Sequence, residues 1–173
     1  MGGGGGGGRR EGARNGLWAC HLDVANAFWS FELPREFWCA FRFEIEGEIF
    51  SIVCLLYGWK FSPSLCQRAF AHFLAVLEPG KIILLQYLDD FLFLGDDREG
   101  VRDLCGRAKV VLVEAGYIVS SKPILEPVRA IRWLGKESNL VTGSIGNGGG
   151  SIAMLLATSW VRVTAHGLGL GVP

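Results

Sequence analysis

The sequence lacks an excess of charge of either sign and lacks cysteine pairs with metal-binding spacing. Its 17 lysines and arginines balance 17 aspartates and glutamates, so the chain as a whole has no basic field that would attract nucleic acid. Its five cysteines are scattered, and none forms a C-x-x-C pair. This pattern excludes a zinc site of that type and indicates reduced core residues instead of a disulfide framework.

Long apolar runs are also missing from the chain. No stretch reaches the ~18 uninterrupted apolar residues that a membrane-spanning helix needs. The N-terminus has no apolar core of the kind that a signal peptide contains. We therefore expect an intracellular protein without a membrane partner, and the sequence does not separate the cytoplasm from the nucleus.

The 25 glycines are concentrated at the two ends of the chain. Residues 1–16 form a head rich in glycine and arginine that cannot bury enough apolar surface to fold. Residues 138–173 form a low-complexity tail that is also rich in glycine. Residues 17–137 are rich in apolar side chains and long enough for one domain with a core. We expect this domain to be flanked by disordered glycine-rich tails.

Alternation and turn residues predict the strands. Residues 17–24 alternate between an apolar face and a face that carries His21 and Asp23. A hairpin rich in Phe, Ile and Val is predicted to turn at Glu46-Gly47. A second, more apolar hairpin spans residues 82–94, and two short strands are predicted near the end of the domain.

Two helices are predicted from apolar periodicity. We expect Ser62 to cap the first helix, with Pro63 tolerated in its first turn. The second spans about residues 97–115, and Asp96 and Glu99 have the spacing of a capping box. Strand hairpins combined with only two helices predict an α+β fold, an antiparallel sheet with two helices on one face.

Two adjacent carboxylates, Asp89 and Asp90, interrupt the apolar hairpin. Asp-Asp-Phe is poor turn chemistry, and ionised groups beside a core are costly without a counter-charge. Asp23 ends the first strand, and if the strands are neighbours the three carboxylates meet and raise one another's pKa. Two Mg²⁺ ions with nucleotide phosphates would relieve this repulsion. The alternative is that Asp89 and Asp90 are solvated turn residues.

Five segments resemble, in order, the motifs of the reverse transcriptases, the RNA-directed DNA polymerases of retroelements. They are "LDVANAF", "YGWKFSPSLCQ", "YLDD" (the Y-x-D-D box), "EAGYIVSSKP" and "RWLG". The resemblance covers about residues 17–136 and implies the palm domain of such a polymerase. It implies that Asp23 and Asp89 bind two catalytic Mg²⁺ ions, with Mn²⁺ as an alternative metal, and that Asp90 lies beside them as a third catalytic and metal-site carboxylate.

The resemblance also implies a nucleotide-binding set. Phe28 falls where the family keeps an aromatic gate against a ribose 2′-hydroxyl, and plain core packing is the alternative. Gly58 would let the backbone approach the nucleotide, or it simply opens a turn. Lys122 would be a charge partner or proton donor near the triphosphate, or a solvated lysine. The full set is Val24, Phe28, Tyr57, Gly58, Tyr87 and Lys122.

Two further features follow from the same resemblance. Trp133, Leu134 and Gly135 would belong to the hairpin that holds the primer end, or to a last sheet strand. Leu56-Tyr57 stands where most members of the family have Pro-Gln. The usual glutamine contact to the nucleotide is therefore missing, and stacking by Tyr57 would have to replace it.

Three interpretations of the function remain at this point. The leading one is a reverse transcriptase palm that adds dNTPs to a primer 3′-hydroxyl on an RNA or DNA template, with the fingers and thumb regions lacking. The second is a truncated, catalytically inactive remnant of a retroelement. The third is a non-enzymatic α+β interaction module whose apolar hairpin is an interface.

Overall fold

The computed structural model describes residues 16–146 and three short stretches of the tail, residues 150–151, 161–164 and 167–170. The predicted disorder of the head, apart from Gly16, and of the rest of the tail falls outside the described residues. The described part is α+β, as the sequence predicted, with antiparallel sheets and helices.

A six-stranded antiparallel sheet is the centre of the molecule. Its order is β12-β11-β4-β5-β1-β6. The strands are β1 (Trp18–Asp23), β4 (Ile83–Tyr87), β5 (Asp90–Gly95), β6 (Ile124–Val128), β11 (Val161–Thr164) and β12 (Gly167–Leu170). The apolar hairpin of the sequence is thus the pair β4–β5, and the central position of β5 gives it a neighbour on each side.

Helices cover one face of this sheet. They are α1 (Arg35–Trp38), α2 (Ser62–Leu74) and α3 (Arg98–Glu114), with two 3-10 turns at Ala27–Ser30 and Cys39–Phe41. The long helices α2 and α3 pack against alternate residues of the strands. This core contains Cys20, Leu22, Leu84, Phe91 and Phe93 from the sheet and Phe70, Leu74, Leu104 and Leu112 from the helices.

A second, four-stranded sheet packs on the opposite face. Its order is β10-β9-β8-β7, with β7 (Ala130–Trp133), β8 (Lys136–Asn139), β9 (Ser144–Ile145) and β10 (Gly150–Ser151). The core between the sheets contains Ala19, Leu85, Leu92, Leu94, Ile131, Trp133 and Leu140. Because β5 is buried on both faces, its sequence is a continuous apolar run instead of an alternation. The hairpin β4–β5 is therefore not an exposed apolar surface.

The third sheet is a two-stranded hairpin formed by β2 (Arg42–Ile45) and β3 (Glu48–Ser51). It turns at Glu46 and Gly47, as predicted, and both turn residues have positive φ, 54° and 84°. This is the backbone that favours glycine in two-residue hairpin turns. The side chains of both strands are largely exposed.

Both predicted helix caps differ from the structure. Helix α2 begins at Ser62 itself, whose buried hydroxyl has no hydrogen-bond partner and caps nothing. Helix α3 is capped by Asp97, whose carboxylate accepts a hydrogen bond from Glu99 N–H at 3.2 Å, and not by Asp96. In both cases the cap lies one residue from the expected position: Phe61 precedes α2 without a side-chain cap, and Asp97 takes the place of its neighbour Asp96 at α3.

The fold continues past residue 137, the expected end of the domain, which lies inside β8. Leu140 is buried, and its carbonyl accepts a hydrogen bond from Leu17 N–H at 3.0 Å. At Gly16 a Cβ atom would stand 2.5 Å from the Leu140 carbonyl oxygen, so only glycine fits there. No helix among the described residues is long and apolar enough to cross a bilayer.

Candidate active site

Antiparallel pairing of β1 with β5 brings the predicted carboxylates together. Asp23, the last residue of β1, pairs directly with Asp90, the first residue of β5. Val24 N–H donates to the carbonyl of Asp89 at 3.1 Å. The bend of the hairpin is at Leu88 and Asp89, one residue earlier than the sequence suggested, because Asp90 already pairs with Tyr87 in the ladder.

The carboxylate turn has an unfavourable backbone. Leu88 has a φ of 54°, and for a residue that is not glycine the left-handed region costs about 1–2 kcal/mol. Gln86, which is fully buried, donates from Nε2 to the carbonyl of Leu88 at 3.0 Å and to that of Gln67 in α2 at 2.9 Å. The side chain of Gln86 therefore joins the turn to the helix layer.

The segment after α3 closes the other side of the site. Ser120 N–H donates to the carbonyl of Asp23 at 2.7 Å, and Ala25 N–H donates to the carbonyl of Ile118 at 2.8 Å. Val24 and Val119 form an isolated antiparallel bridge. The backbone on both sides of Asp23 is thus fixed by hydrogen bonds.

The pKa values of Asp23 and Asp89 are raised. For Asp89 partial burial is the largest cause, and the nearby Asp90 and Asp23 add repulsion, while a hydrogen bond from its own backbone N–H acts in the opposite direction. For Asp23 burial again comes first and Asp90 adds to it, opposed by His21 and a hydrogen bond with Ser120. Two neighbouring carboxylates whose pKa values are raised by burial and by acidic neighbours mark a candidate functional site.

His21 supplies a polar contact to this cluster. Its Nε2 lies 3.0 Å from Oδ1 of Asp90, and both side chains are only partly exposed. His21 and Asp23 share the face of β1 opposite the α2–α3 core. The β7–β8 hairpin packs on this same face of the sheet.

The donor set suits a hard divalent cation, although no cage is preformed. Among the described residues, no group of three or more His, Cys, Asp or Glu side chains is arranged to hold a metal ion. Mg²⁺, however, prefers oxygen ligands and is typically bound by one or two carboxylates together with water and substrate phosphates. Asp23 and Asp89 are oxygen donors on neighbouring backbone segments, and their raised pKa values are what an added cation would reverse.

Phe28 and Tyr57 are in contact, although the sequence separates them. Phe28 is buried in the first 3-10 turn, and its ring meets that of Tyr57 edge-on at a centroid distance of 4.8 Å. Tyr57 is 65% exposed. Phe28 thus packs against Tyr57, and Tyr57 presents an accessible ring beside it.

The other residues of the predicted nucleotide-binding set lie on different elements, and two of them, Val24 and Tyr87, adjoin the turn. Val24 is buried and bonded to Asp89 through its N–H, and Tyr87 is 39% exposed at the end of β4. Gly58 has a φ of 88° with open space where a Cβ would stand, so a turn requires glycine here. Lys122 is exposed on the connection that joins Ser120 to β6.

The predicted primer-side residues form a hairpin turn. Trp133 is buried at the end of β7, and Leu134 and Gly135 are the two turn residues before β8, with φ of 48° and 77°. Trp133 packs in the core between the two sheets, on the face of the main sheet that also carries Asp23. The hairpin predicted from "RWLG" is therefore present.

Two residues of the site were not predicted from the sequence, His21 and Gln86. The alternation of residues 17–24 places His21 on the same strand face as Asp23, but it does not indicate a contact between His21 and Asp90. Gln86 is the polar residue within an apolar run that forms a buried strand. A buried amide needs partners, and this was the signal available.

Comparison with known proteins identifies the family. The family model described as reverse transcriptase (RNA-dependent DNA polymerase) matches residues 10–137. The Gag-Pol polyprotein of avian reticuloendotheliosis virus is 30% identical over 139 residues, which are 76% of this chain and 12% of that polyprotein. The chain belongs to the reverse transcriptase family, as the five motifs indicated.

Solved structures show the same fold. The foamy viral protease-reverse transcriptase in complex with an RNA/DNA hybrid is similar with a TM-score of 0.64 and 24% identity, over 76% of this chain and 17% of that one. The native protease-reverse transcriptase of prototype foamy virus gives a TM-score of 0.56 and 27% identity, over 77% and 17%. The chain thus spans a small part of the length of the relatives that it matches.

Proposed function

We propose that this chain is the catalytic palm of a reverse transcriptase. Its reaction is the addition of dNTPs to a primer 3′-hydroxyl on an RNA or DNA template. The observation that carries this proposal is the pairing of Asp23 with Asp90 across β1 and β5, with the Asp89 carbonyl bonded to Val24 N–H. Family membership and the fold support it.

Asp23 and Asp89 would hold two Mg²⁺ ions, or Mn²⁺ in their place, with Asp90 beside them. When bound, such ions stabilise the entering and leaving oxygens of a phosphoryl transfer. The residues themselves supply a fixed backbone: Val24 N–H holds the Asp89 carbonyl and Ser120 N–H holds that of Asp23. His21 orients Asp90.

The nucleotide and the primer end would lie on either side of these carboxylates. Phe28 supports the ring of Tyr57, which is accessible for stacking against the nucleotide. Lys122 would meet the triphosphate. The turn of Leu134 and Gly135 would contact the primer end, with Trp133 holding the hairpin against the sheet.

Manganese binding tests the carboxylate site directly. We expect Mn²⁺, followed by electron paramagnetic resonance of the free ion, to bind the chain, and Asp89→Asn to weaken binding by about tenfold or more, or about 1.4 kcal/mol. Asp103→Asn is the matched control, since Asp103 is an exposed residue of α3 paired with Arg107 at 3.6 Å. Equal affinities of the two variants would contradict the proposed metal site.

Primer extension tests the reaction itself. The chain has no net charge, and affinity for nucleic acid depends on neutralisation of its phosphates by basic residues. We therefore expect weak or no extension of a primer with Mg²⁺ and dNTPs. Any incorporation should disappear in Asp89→Asn and persist in Asp103→Asn. Incorporation that survives Asp89→Asn would refute the assignment of the catalytic carboxylate.

A further inference from the structure

We propose that Gln86 is a positioning residue whose side-chain amide holds the Leu88–Asp89 turn against α2 and thereby fixes Asp89 beside Asp23. Its importance for chemistry rests on the proposed function, whereas its action on the turn does not. Gln86 has no exposed surface, so it touches neither solvent nor a substrate directly. Its effect must pass through the turn.

The two hydrogen bonds of Gln86 determine which way its amide faces. Nε2 donates to the carbonyl of Gln67 at 2.9 Å and to that of Leu88 at 3.0 Å. Only the NH₂ group can face two carbonyl oxygens, because the amide oxygen is an acceptor. Oε1 is buried and has no hydrogen-bond partner within the described part of the chain. The side chain thus leaves its own acceptor unsatisfied while both donors are engaged with the backbone.

The backbone of the turn is one that a hydrogen bond from Gln86 would stabilise. Leu88 has a φ of 54° without the glycine or asparagine that usually permits it. Such conformations persist when the surrounding structure over-determines them, and they cluster at active sites. Gln86 Nε2 donates its hydrogen bond to the carbonyl of Leu88 itself. The next carbonyl, that of Asp89, accepts from Val24 N–H at 3.1 Å, so the turn is tied to α2 on one side and to β1 on the other.

Glutamine fits this role better than an apolar residue. Gln86 lies on β4 between Leu85 and Tyr87, and its neighbour on the same face, Leu84, belongs to the α2–α3 core. An apolar side chain here would extend that core without leaving an unpaired oxygen. A buried amide with an unpaired oxygen departs from the usual pairing of polar atoms in a core. Such departures are typical of functional or strained sites.

Amide hydrogen exchange, measured by NMR, tests the inference without requiring metal or activity. Val24 N–H reports whether the Asp89 carbonyl is in place, and slow amides of α3 report global stability. In Gln86→Met, which keeps length but has no donor, we expect Val24 exchange to accelerate at least about tenfold more than the α3 amides. Gln67→Met is the matched control, because the bond uses the Gln67 backbone carbonyl, which that substitution retains.

The outcomes are separable. Equal acceleration of Val24 and the α3 amides would reduce Gln86 to a contributor to stability, and an unchanged Val24 amide would also overturn the inference. If Gln86→Met does not fold, Gln86→Asn replaces it, because its shorter side chain retains the amide but cannot reach both carbonyls. The same faster exchange of the Val24 amide relative to the α3 amides is expected.

Mn²⁺ affinity separates this inference from the proposed function. A parent chain that fails to bind Mn²⁺ while Val24 responds to Gln86→Met would reject the metal site and keep the positioning role. A parent chain that binds Mn²⁺ while the Val24 amide does not respond to Gln86→Met would keep the metal site and reject the positioning role. We expect both to hold, with Mn²⁺ affinity falling several-fold in Gln86→Met and unchanged in Gln67→Met.

Discussion

The hairpins β2–β3 and β4–β5 both have two-residue turns, and they differ in what specifies them. The first turns at Glu46-Gly47 with positive φ at both residues, and its strands are exposed. The second turns at Leu88-Asp89 without glycine, and β5 is buried on both faces. Local turn chemistry is sufficient for the first hairpin. The second has no glycine in its turn and is imposed by the two cores that enclose it, and this allows it to carry the carboxylates.

Core truncation should separate the two hairpins most strongly. Phe93 is fully buried in β5, so Phe93→Ala should lower the free energy of unfolding by about 3–5 kcal/mol. Phe43 is 43% exposed and stacks on Phe50 across β2–β3, so Phe43→Ala should cost less than about 1 kcal/mol. Urea denaturation measures both. Similar losses would mean that the β2–β3 hairpin is as much a part of the core as β5.

Glycine substitution sharpens the comparison at the level of the turn. Gly47 has a φ of 84° with open space around it, so Gly47→Ala should destabilise the hairpin by about 1 kcal/mol through backbone strain alone. Gly106 in α3 also has open space and no positive φ, so Gly106→Ala should stabilise the chain by about 0.5–1 kcal/mol. Thermal denaturation should give opposite signs, and a neutral or stabilising Gly47→Ala would show that turn chemistry does not specify β2–β3.

The smallest effect is expected from the charge of the buried turn. The pKa of Asp89 is raised above its usual 3.8 by burial and by its acidic neighbours. The folded state therefore binds more protons than the unfolded state above pH 3.8, and stability falls as pH rises through the raised pKa. Without metal, Asp89→Asn should remove this loss and stabilise the chain at neutral pH by less than about 1 kcal/mol, since solvent still reaches the group.

Denaturation at pH 3 and pH 7 measures this difference for Asp89→Asn and for Glu46→Gln, which removes one negative charge from the exposed turn. A pH dependence that is the same in Asp89→Asn as in the parent would show that Asp89 bears no such cost. Mg²⁺ should restore the stability of the parent and leave Asp89→Asn unchanged.

Sequence patterns predicted the elements whose signals are local. The alternation in residues 17–24, the Glu46-Gly47 turn and the periodicity of the two long helices all indicated the observed structure. The motifs indicated the convergence of Asp23 with Asp89 and Asp90, which no spacing along the chain encodes. Tyr57 beside Phe28 and His21 beside Asp90 depend on how distant segments pack, and a sequence pattern cannot measure this.

The difference at the first helix cap has the same origin. Ser62 has the right chemistry for a cap, but packing buries its hydroxyl inside the first turn of α2. Glycine content rises beyond residue 137, and composition alone does not indicate that Leu140 is buried with its carbonyl bonded to Leu17 N–H.

Strand β11 lies alongside β4 and pairs with Leu84, Leu85 and Gln86. An edge strand with unpaired N–H and C=O groups can pair with the edge strand of another molecule. A polypeptide shortened to its first 146 residues would lack β11 and would expose the edge of β4, directly before the carboxylate turn. Self-association through β4 would then compete with measurements of the site, so β11 protects this edge of the sheet.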